Sequence, residues 1–498
     1  MNTPPSTSTP LTLADGPRLV IRSVPLPTPD RRAVTRRLRQ AGAVSVRHLL
    51  PIAIKAARRQ PIPERVVARA LRNVFDDMGG TFAKFGQLIG SSPTLFGETV
   101  AAEFRTTLDA VVPVPFAAIK LTIEDELGLP LRHLFAEFDE VPVAAASLAQ
   151  VHRAVLPNGE TVAVKVLRPG IEQAMAIDVA VMVPLFGFLG REIAIGIFGE
   201  LPSLVGGLAE QLSEEVDLRN EARSMLWFTH LVRTLELDRI EVPQPITGYG
   251  TKRVLAMTYI DGVPVDHADA IHAMGIDPAP LVQDTVKAWF ASALCTGAFH
   301  GDVHAGNLLV TPRGNLGVLD WGIVGRFDDH TQQFFRRVVE GALGDETAWP
   351  DVWKLAETIY GPAMQQMIGA SDEQMITLIR MQIEPLFTMP FGQINLTDML
   401  LRADNAASPL REEVGANANK PRNAFELWRS ERARRRDQLA SGVHESTFDR
   451  GMFLLGKQLV YFDRYGKLFL PDTPLMWDED AFRRMLAQPL VPAEDPFE

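Results

Sequence analysis

Residues His300 to Gly322, HGDVHAGNLLVTPRGNLGVLDWG, constrain the fold more than any other stretch of the chain. A polar loop carrying Asp302 and Asn307 enters an apolar run, Leu308 to Val310. The chain turns through Pro312, Arg313, Gly314 and Asn315 and returns as a second apolar run ending at Asp320. Two short apolar runs joined by a Pro/Gly/Asn turn read as a β-hairpin. This one gathers two carboxylates and an amide at one end. An Asp-rich turn in an ordinary hairpin would look similar, so the spacing of the polar groups has to carry the argument.

Phosphoryl transfer needs such a layout. One Asp orients or deprotonates the attacking oxygen, while an Asn and a second Asp hold Mg²⁺ on the phosphates. Asp302 and Asn307 have the D-x-x-x-x-N spacing of a kinase catalytic loop, and Asp320-Trp321-Gly322 stands where the D-F-G triplet would follow. Asp302 is therefore the candidate for positioning the nucleophile, and Asn307 and Asp320 are the candidates for the metal.

At 498 residues with 46% hydrophobic content, the chain can bury a large core in more than one domain or in a two-lobed unit with additions. A net charge of −11 argues against general nucleic-acid binding. The charge is uneven: residues 18–73 include Arg31, Arg32, Arg36, Arg37, Arg39, Arg58, Arg59, Arg65, Arg69 and Arg72, with Asp30 and Glu64 as the only acids. Such an arm either meets anionic lipid or lies on an acidic body. The single Cys295 excludes an internal disulfide and fits a reducing compartment, and no Cys/His cluster suggests zinc. The first residues, MNTPPSTSTPLTL, lack the charged start and apolar core of a secretory signal and read as a disordered tail. The most apolar region, Ala174 to Leu208, is broken by Asp178, Arg191, Glu192 and Glu200. That pattern predicts a buried or interfacial helical hairpin and no membrane-spanning helix. The expected location is cytoplasmic, with contact at a membrane surface at most peripheral.

In chain order, residues 31–57 and 63–78 read as helices split by Pro61-Ile62-Pro63. In the next helix, TFAKFGQLIGSSP, Phe82, Phe85 and Ile89 share one face and Lys84, Gln87 and Ser91 the other. A helix over 116–127 stops at Gly128. Residues 150–156 and 161–166 form a hairpin around Pro157-Asn158-Gly159, whose second strand presents Lys165 in V-A-V-K, matching the kinase strand whose Lys meets nucleotide phosphates. The preceding loop, Ala144-Ala145-Ala146-Ser147, occupies the place of a glycine-rich phosphate loop. A helix over 211–228 carries Glu215, Asp217 and Glu221, with Glu221 the candidate partner of Lys165. Met257 to Gly262 reads as strand into hinge, with Met257 and Tyr259 beside the adenine. Residues 281–297 form an apolar helix under the catalytic loop. After Gly322 a helix starts near His330, leaving no long loop and no A-P-E on which a protein substrate would lie. A polar interval (402–422) and a helix with Arg429, Arg432, Arg434, Arg435 and Arg436 follow.

Taken together, these stretches resemble the UbiB-like (ADCK) family of atypical kinases over roughly residues 70–330. Its marks here are the K-x-G-Q helix (Lys84, Gly86, Gln87), AAASLAQVH, V-A-V-K, the E-x-D element (Glu215, Asp217) with Glu221, and the loop and metal motifs. Two departures are HGDVHAGN where the family commonly has HADPHPGN, and D-W-G for D-F-G. The resemblance implies an α+β, two-lobed protein-kinase-like fold, with an added N-terminal helical region covering the active site and a helical C-terminal extension. The corresponding division is 1–30 disordered tail, 31–135 N-terminal extension, 136–262 N-lobe with a helical insertion, 263–400 C-lobe and 401–498 C-terminal extension. It further implies that Lys84 faces Glu215 and Asp217, that the protein binds ATP and Mg²⁺, and that it acts as an ATPase or small-lipid kinase. An isoprenoid lipid or quinone precursor and an anionic membrane surface are the implied partners. Two alternatives stand beside this: a small-molecule phosphotransferase of the aminoglycoside or choline kinase type, and a non-catalytic adaptor switched by ATP.

Overall fold

A computed structural model describes residues 13, 16–91, 96–106, 112–192, 201–360, 371–394 and 450–488. Four helices come first: α1 (Arg31–Ala57), α2 (Glu64–Met78), α3 (Gly80–Gly90) and α4 (Glu98–Phe104). The Asp30 carboxylate caps α1 by accepting from Ala33 N at 3.1 Å. Phe82, Phe85 and Ile89 of α3 are buried, the apolar stripe that the 3.6-residue period requires.

The N-lobe follows with α5 (Phe116–Leu127), α6 (Leu131–Leu134) and an antiparallel sheet of β1 (Glu137–Phe138), β2 (Ala144–Ala145), β3 (Ala149–Val155), β4 (Thr161–Leu167), β6 (Pro245–Gly250) and β7 (Val254–Thr258). Strand order is β1-β3-β4-β7-β6, with β2 also on β3. β4 reads as a nearly continuous apolar run because both its faces are covered. Val162, Val164 and Val166 pack with Ile119 and Ile123 of α5, whereas Ala163 and Leu167 belong to the main core. Period-two alternation therefore turns Lys165 toward the rest of the protein and away from α5. The α7 (Ile171–Glu192) and α8 (Leu201–Glu215) helices pack on each other, and α7 also packs on α1 and α3. Met175, Val181, Met182, Phe186 and Leu212 are buried there, so where its side chains are described the apolar region expected as a buried or interfacial hairpin contributes to the core. Among the described residues no helix is long and apolar enough to cross a membrane.

In place of one helix over 211–228 there are two, α8 and α9 (Leu218–Thr234). Asp217 breaks them: its backbone is extended (φ −127°, ψ 94°) and its carboxylate caps α9 through Arg219 N. Between α9 and β7 lies β5 (Ile240–Glu241).

The C-lobe contains β8 (Val263–Pro264), α10 (Ala268–Ala273), α11 (Ala279–Thr296), β9 (Ala298–His300), β10 (Leu308–Val310), β11 (Leu316–Val318), β12 (Val324–Arg326), α12 (Asp329–Ala342), α13 (Ala348–Tyr360) and α14 (Asp372–Thr388). The β10–β11 hairpin pairs Leu308 with Val318 and is flanked by β8 and a parallel β5. α11 lies beneath it, with Trp289, Phe290 and Leu294 at most 1% exposed. The last helices are α15 (Arg450–Phe469) and α16 (Glu479–Ala487). α15 packs on β12 and α11, with Phe462 and Tyr465 each 1% exposed, so this part of the C-terminal region shares the C-lobe core.

The tail expected through residue 30 is corrected over its second half. Residues 16–30 run without regular secondary structure against α8 and α9, with Leu19 and Ile21 buried. Asn220 Oδ1 accepts from Arg22 N at 3.0 Å, and Val24 N donates to Ser213 O at 3.1 Å. The polar interval and Arg-rich helix between 402 and 436 lie outside the described residues.

Candidate active site

The site lies between the inner face of β4, the start of α9, the β9–β10 loop and the turn after β11. Lys165 sits on β4 opposite Val151 and Leu255. Its Nζ donates at 2.8 Å to Glu221 Oε1 and at 2.8 Å to Asp320 Oδ1. Glu221, in the first turn of α9, is 2% exposed and also accepts from Trp321 N at 3.2 Å. Burial raises the Glu221 pKa above the usual carboxylate value, and Lys165 pulls against that shift. Burial likewise opposes the charge on Lys165, but Asp320 and Glu221 outweigh it and raise its pKa. Lys165 is therefore a firm cation shared between two acids.

Asp320 follows β11 at φ +44°, a left-handed conformation that Asp tolerates better than most side chains. Its carboxylate accepts from Gly322 N at 3.3 Å. Burial works against ionisation of Asp320, yet Lys165 and Gly322 N hold its pKa below the usual range. Trp321, 1% exposed, fills the place of the D-F-G phenylalanine. Its ring packs at a tilt 4.4 Å from that of Phe228, and its Nε1 donates to Val318 O at 2.9 Å. A Trp suits this position because its indole N–H finds an acceptor inside the core.

The catalytic-loop residues are fixed through the main chain. The Asp302 N–H donates to His300 Nδ1 at 3.0 Å, so His300 carries its proton on Nε2 and faces Leu319 O at 3.1 Å. Burial lowers the His300 pKa, in keeping with that neutral tautomer. Asn307 ends a one-turn 3₁₀ helix, Ala305–Asn307, and its amide nitrogen donates to Asp302 O at 2.9 Å. The Asn307 amide oxygen is thus the end left to meet a cation. The Asn307 amide oxygen and the Asp320 carboxylate are both hard oxygen donors, the type Mg²⁺ takes beside phosphate and water oxygens.

Lys84 of α3 reaches Glu215 in a close ion pair, and Gln211 also donates to Glu215 at 2.8 Å. A Cβ added to Gly322 would lie 3.9 Å from Glu215 Cγ and 3.2 Å from Asp320 Oδ1, so α3 is fastened beside the metal motif. Asp217 is not part of that contact. Arg219 holds it from Nη2 at 2.6 Å, and it serves as the α9 cap. Lys84 therefore faces one acid of the E-x-D element and not both. The alanine-rich segment is a tight hairpin: Ala144 and Ala145 pair with Val151 and Gln150, and Ala146 N donates to Ala149 O at 2.9 Å. Met257 lies on the same sheet face as Lys165, two residues beyond its partner Leu255, and Tyr259 packs on the main core.

Sequence reasoning missed a set of residues on α15. Lys457 Nζ donates to Asp302 Oδ1 at 2.6 Å. Gln458 bridges Val303 N (2.8 Å) and Gly301 O (2.6 Å), and the Tyr465 hydroxyl donates to Val303 O at 2.8 Å. Their one visible signal is that Lys457, Tyr461 and Tyr465 recur every fourth residue along the helix. Burial raises the Asp302 pKa, but Lys457 outweighs it and the net shift is downward.

A family model described as the ABC1 atypical kinase-like domain matches residues 106–348. An uncharacterized protein of Mycobacterium tuberculosis (strain ATCC 25618 / H37Rv) is 32% identical over 429 residues, spanning 84% of this chain and 78% of its own. An uncharacterized aarF domain-containing protein kinase of Arabidopsis thaliana, named as chloroplastic, is 31% identical over 82% of this chain and 73% of its own. A protein of Marinobacter nauticus named "Probable protein kinase UbiB" is 30% identical over 71% of this chain and 64% of its own. With the lysine, glutamate, catalytic-loop and metal motifs brought together on a two-lobed scaffold, the chain belongs to the ABC1/UbiB-like family of atypical kinase-like proteins.

Proposed function

We propose that this protein binds Mg-ATP and transfers its terminal phosphoryl group to water or to a small lipid at a membrane surface, in support of isoprenoid quinone or lipid metabolism. The observation that carries the reading is the placement of Lys165 Nζ 2.8 Å from both Glu221 and Asp320, the junction that a kinase-type site uses to join phosphate and metal. In this reading Lys165 meets the nucleotide phosphates and Glu221 holds it there. Asp320 and Asn307 hold Mg²⁺, which when bound offsets the charge on the phosphates. Asp302 orients the attacking oxygen. The Ala144–Ser147 hairpin lies over the phosphates, and the adenine lies beside Met257 and Tyr259. Glu215 and Gln87 set the position of Lys84 and of the helix that carries it, while Asp217 caps the helix that carries Glu221. That helix fills space a peptide would need, which favours water or a small acceptor.

The membrane reading rests on α1. Leu38, Val46, Leu50 and Ile54 fall at spacings of four or eight residues and are 53%, 58%, 51% and 43% exposed. The side chains of Arg31, Arg32, Arg36, Arg39, Arg58 and Arg59 make no ion pair among the described residues. An exposed apolar stripe flanked by free cations suits an anionic lipid surface. Arg37, Arg47, Arg65, Arg69 and Arg72 are instead engaged with Asp178, Asp77, Glu103 and Asp76, so the basic arm divides between the two roles.

The test is Mg-dependent ATP hydrolysis by the purified protein, with and without anionic liposomes, beside Asp320→Asn. Turnover that requires Asp320 and rises with liposomes is expected. Tight ATP binding without turnover in either condition would refute the enzyme reading. It would favour a nucleotide-switched adaptor, a role the α3 helix clamped over the site also suits.

A further inference from the structure

We propose that Lys457, delivered by the C-terminal helix α15, is a positioning residue for phosphoryl transfer that fixes the Asp302 carboxylate toward the attacking oxygen. The inference rests on the reading of Asp302 given above and adds to it a residue from outside every motif in the sequence.

Asp302 is held at three points. Its N–H goes to His300 Nδ1 (3.0 Å), its carbonyl takes the Asn307 amide (2.9 Å), and its Oδ1 takes Lys457 Nζ (2.6 Å). Among the described residues Oδ2 makes no hydrogen bond, and His304 Nε2 stands 3.8 Å from it, which is too long for one. The carboxylate therefore has one oxygen anchored and one available. Without Lys457 the side chain would be free to rotate about χ1 and χ2, and neither oxygen would be favoured.

The anchor itself is held rigidly. Gln458 is fully buried and bonds both Gly301 O and Val303 N, while Tyr465 bonds Val303 O. Main-chain groups on both sides of Asp302 thus find partners on α15. A Cβ on Gly451 would lie 2.4 Å from Arg326 O, so α15 meets the β12 backbone too closely to slide along it. Arg450 pairs with Glu214 at 2.7 Å, next to the Glu215 that holds Lys84. The side chains of Lys457 and Asp302 are 14% and 20% exposed. An ion pair this dry contributes little net stability over an apolar pair of the same shape, so stability alone gives no reason for it. Orientation does give one, since misplacing a catalytic group by about 1 Å costs on the order of 100-fold in rate.

In the transfer, the attacking oxygen forms a bond to the γ-phosphorus while the bond to the β–γ bridging oxygen breaks. ADP leaves with that electron pair, and the proton of the attacking oxygen ends on the product phosphate or in solvent. Asp302 Oδ2 accepts the hydrogen bond that aims the attacking lone pair, and Lys457 keeps it aimed.

The experiment measures ATP affinity and steady-state turnover of the full chain for Lys457→Met, Lys457→Arg, Asp302→Asn and the double variant Asp302→Asn/Lys457→Met. Lys457→Met should lower kcat by roughly 10- to 100-fold with ATP affinity within about two-fold of the starting protein, and Lys457→Arg should recover part of the loss. The double variant should be no slower than Asp302→Asn, because Lys457 acts through Asp302. That comparison also holds if Lys457→Met alone, left with an unpaired buried carboxylate, fails to fold. Turnover unaffected by Lys457→Met, a loss that appears in ATP affinity, or a double variant about ten-fold slower than Asp302→Asn would each overturn the proposal and leave the Mg-ATP reading standing. Absence of turnover in the starting protein would overturn both.

Discussion

The helix that covers the site is held by its apolar face more than by its ion pair, and Phe85→Ala tests this. Phe85 is 0% exposed, and its ring lies 6.0 Å from Phe75 of α2 and 5.2 Å from Phe186 of α7. Emptying such a site costs about 3–5 kcal/mol, the lost transfer energy plus the cavity left behind. The Lys84–Glu215 pair is 15% and 12% exposed at its two ends, so its attraction is largely offset by the cost of drying two charges. Removing both ends together, as Lys84→Met/Glu215→Gln, should therefore be close to neutral. Hydrogen exchange over residues 80–90, read by mass spectrometry, separates the two contributions. At about 1.4 kcal/mol per ten-fold, a loss of roughly 4 kcal/mol speeds exchange through local opening of α3 on the order of 10³-fold. The charge-removing double variant should change exchange by less than about ten-fold. Equal protection in Phe85→Ala and the starting protein would refute the reasoning, as would faster exchange in the charge-removing variant than in Phe85→Ala.

Three further outcomes are expected. Hydrogen bonds from Arg69 and Arg65 hold the Glu103 pKa down at about 2. Because this folded-state value is depressed, the stabilisation is present above the unfolded value near 4.5 and is lost as pH falls toward 2. Thermal unfolding should show the gap between the starting protein and Glu103→Gln closing across that window, and added salt should narrow it because Arg65 and Arg69 are 71% and 55% exposed. Lys165→Met leaves Glu221 buried without its cation and should cost about 3–5 kcal/mol in urea unfolding, more than Lys165→Met/Glu221→Gln costs. An equal cost in the two would place the loss elsewhere. Gly451→Ala forces α15 off the Arg326 carbonyl and should cost about 1–3 kcal/mol while also slowing turnover through Lys457 and Gln458. Unchanged stability would mean that this contact relaxes freely.

The hairpins 149–167 and 308–318 and the helices 31–57, 64–78 and 116–127 could be read from local patterns because each depends on alternation, period or turn residues within a few positions. The break at Asp217 was hidden. Its segment contains no Gly or Pro, and the capping role shows only once the backbone is extended there. Residues 16–30 looked like tail because the partners that order them, Ser213 and Asn220, lie nearly two hundred positions on.

Within the site, local sequence was enough to put Lys165 on a strand, Asp302 and Asn307 in one loop, and Asp320 at the end of the hairpin. These depend on spacing along one chain segment. Tertiary structure alone decided which cation meets which acid: Lys84 with Glu215 and not Asp217, Lys165 with both Glu221 and Asp320, and Lys457 with Asp302 across 155 positions. The physical reason is that an ion pair forms only where the packing of distant helices brings two charges within a few ångströms, and no local pattern records that distance.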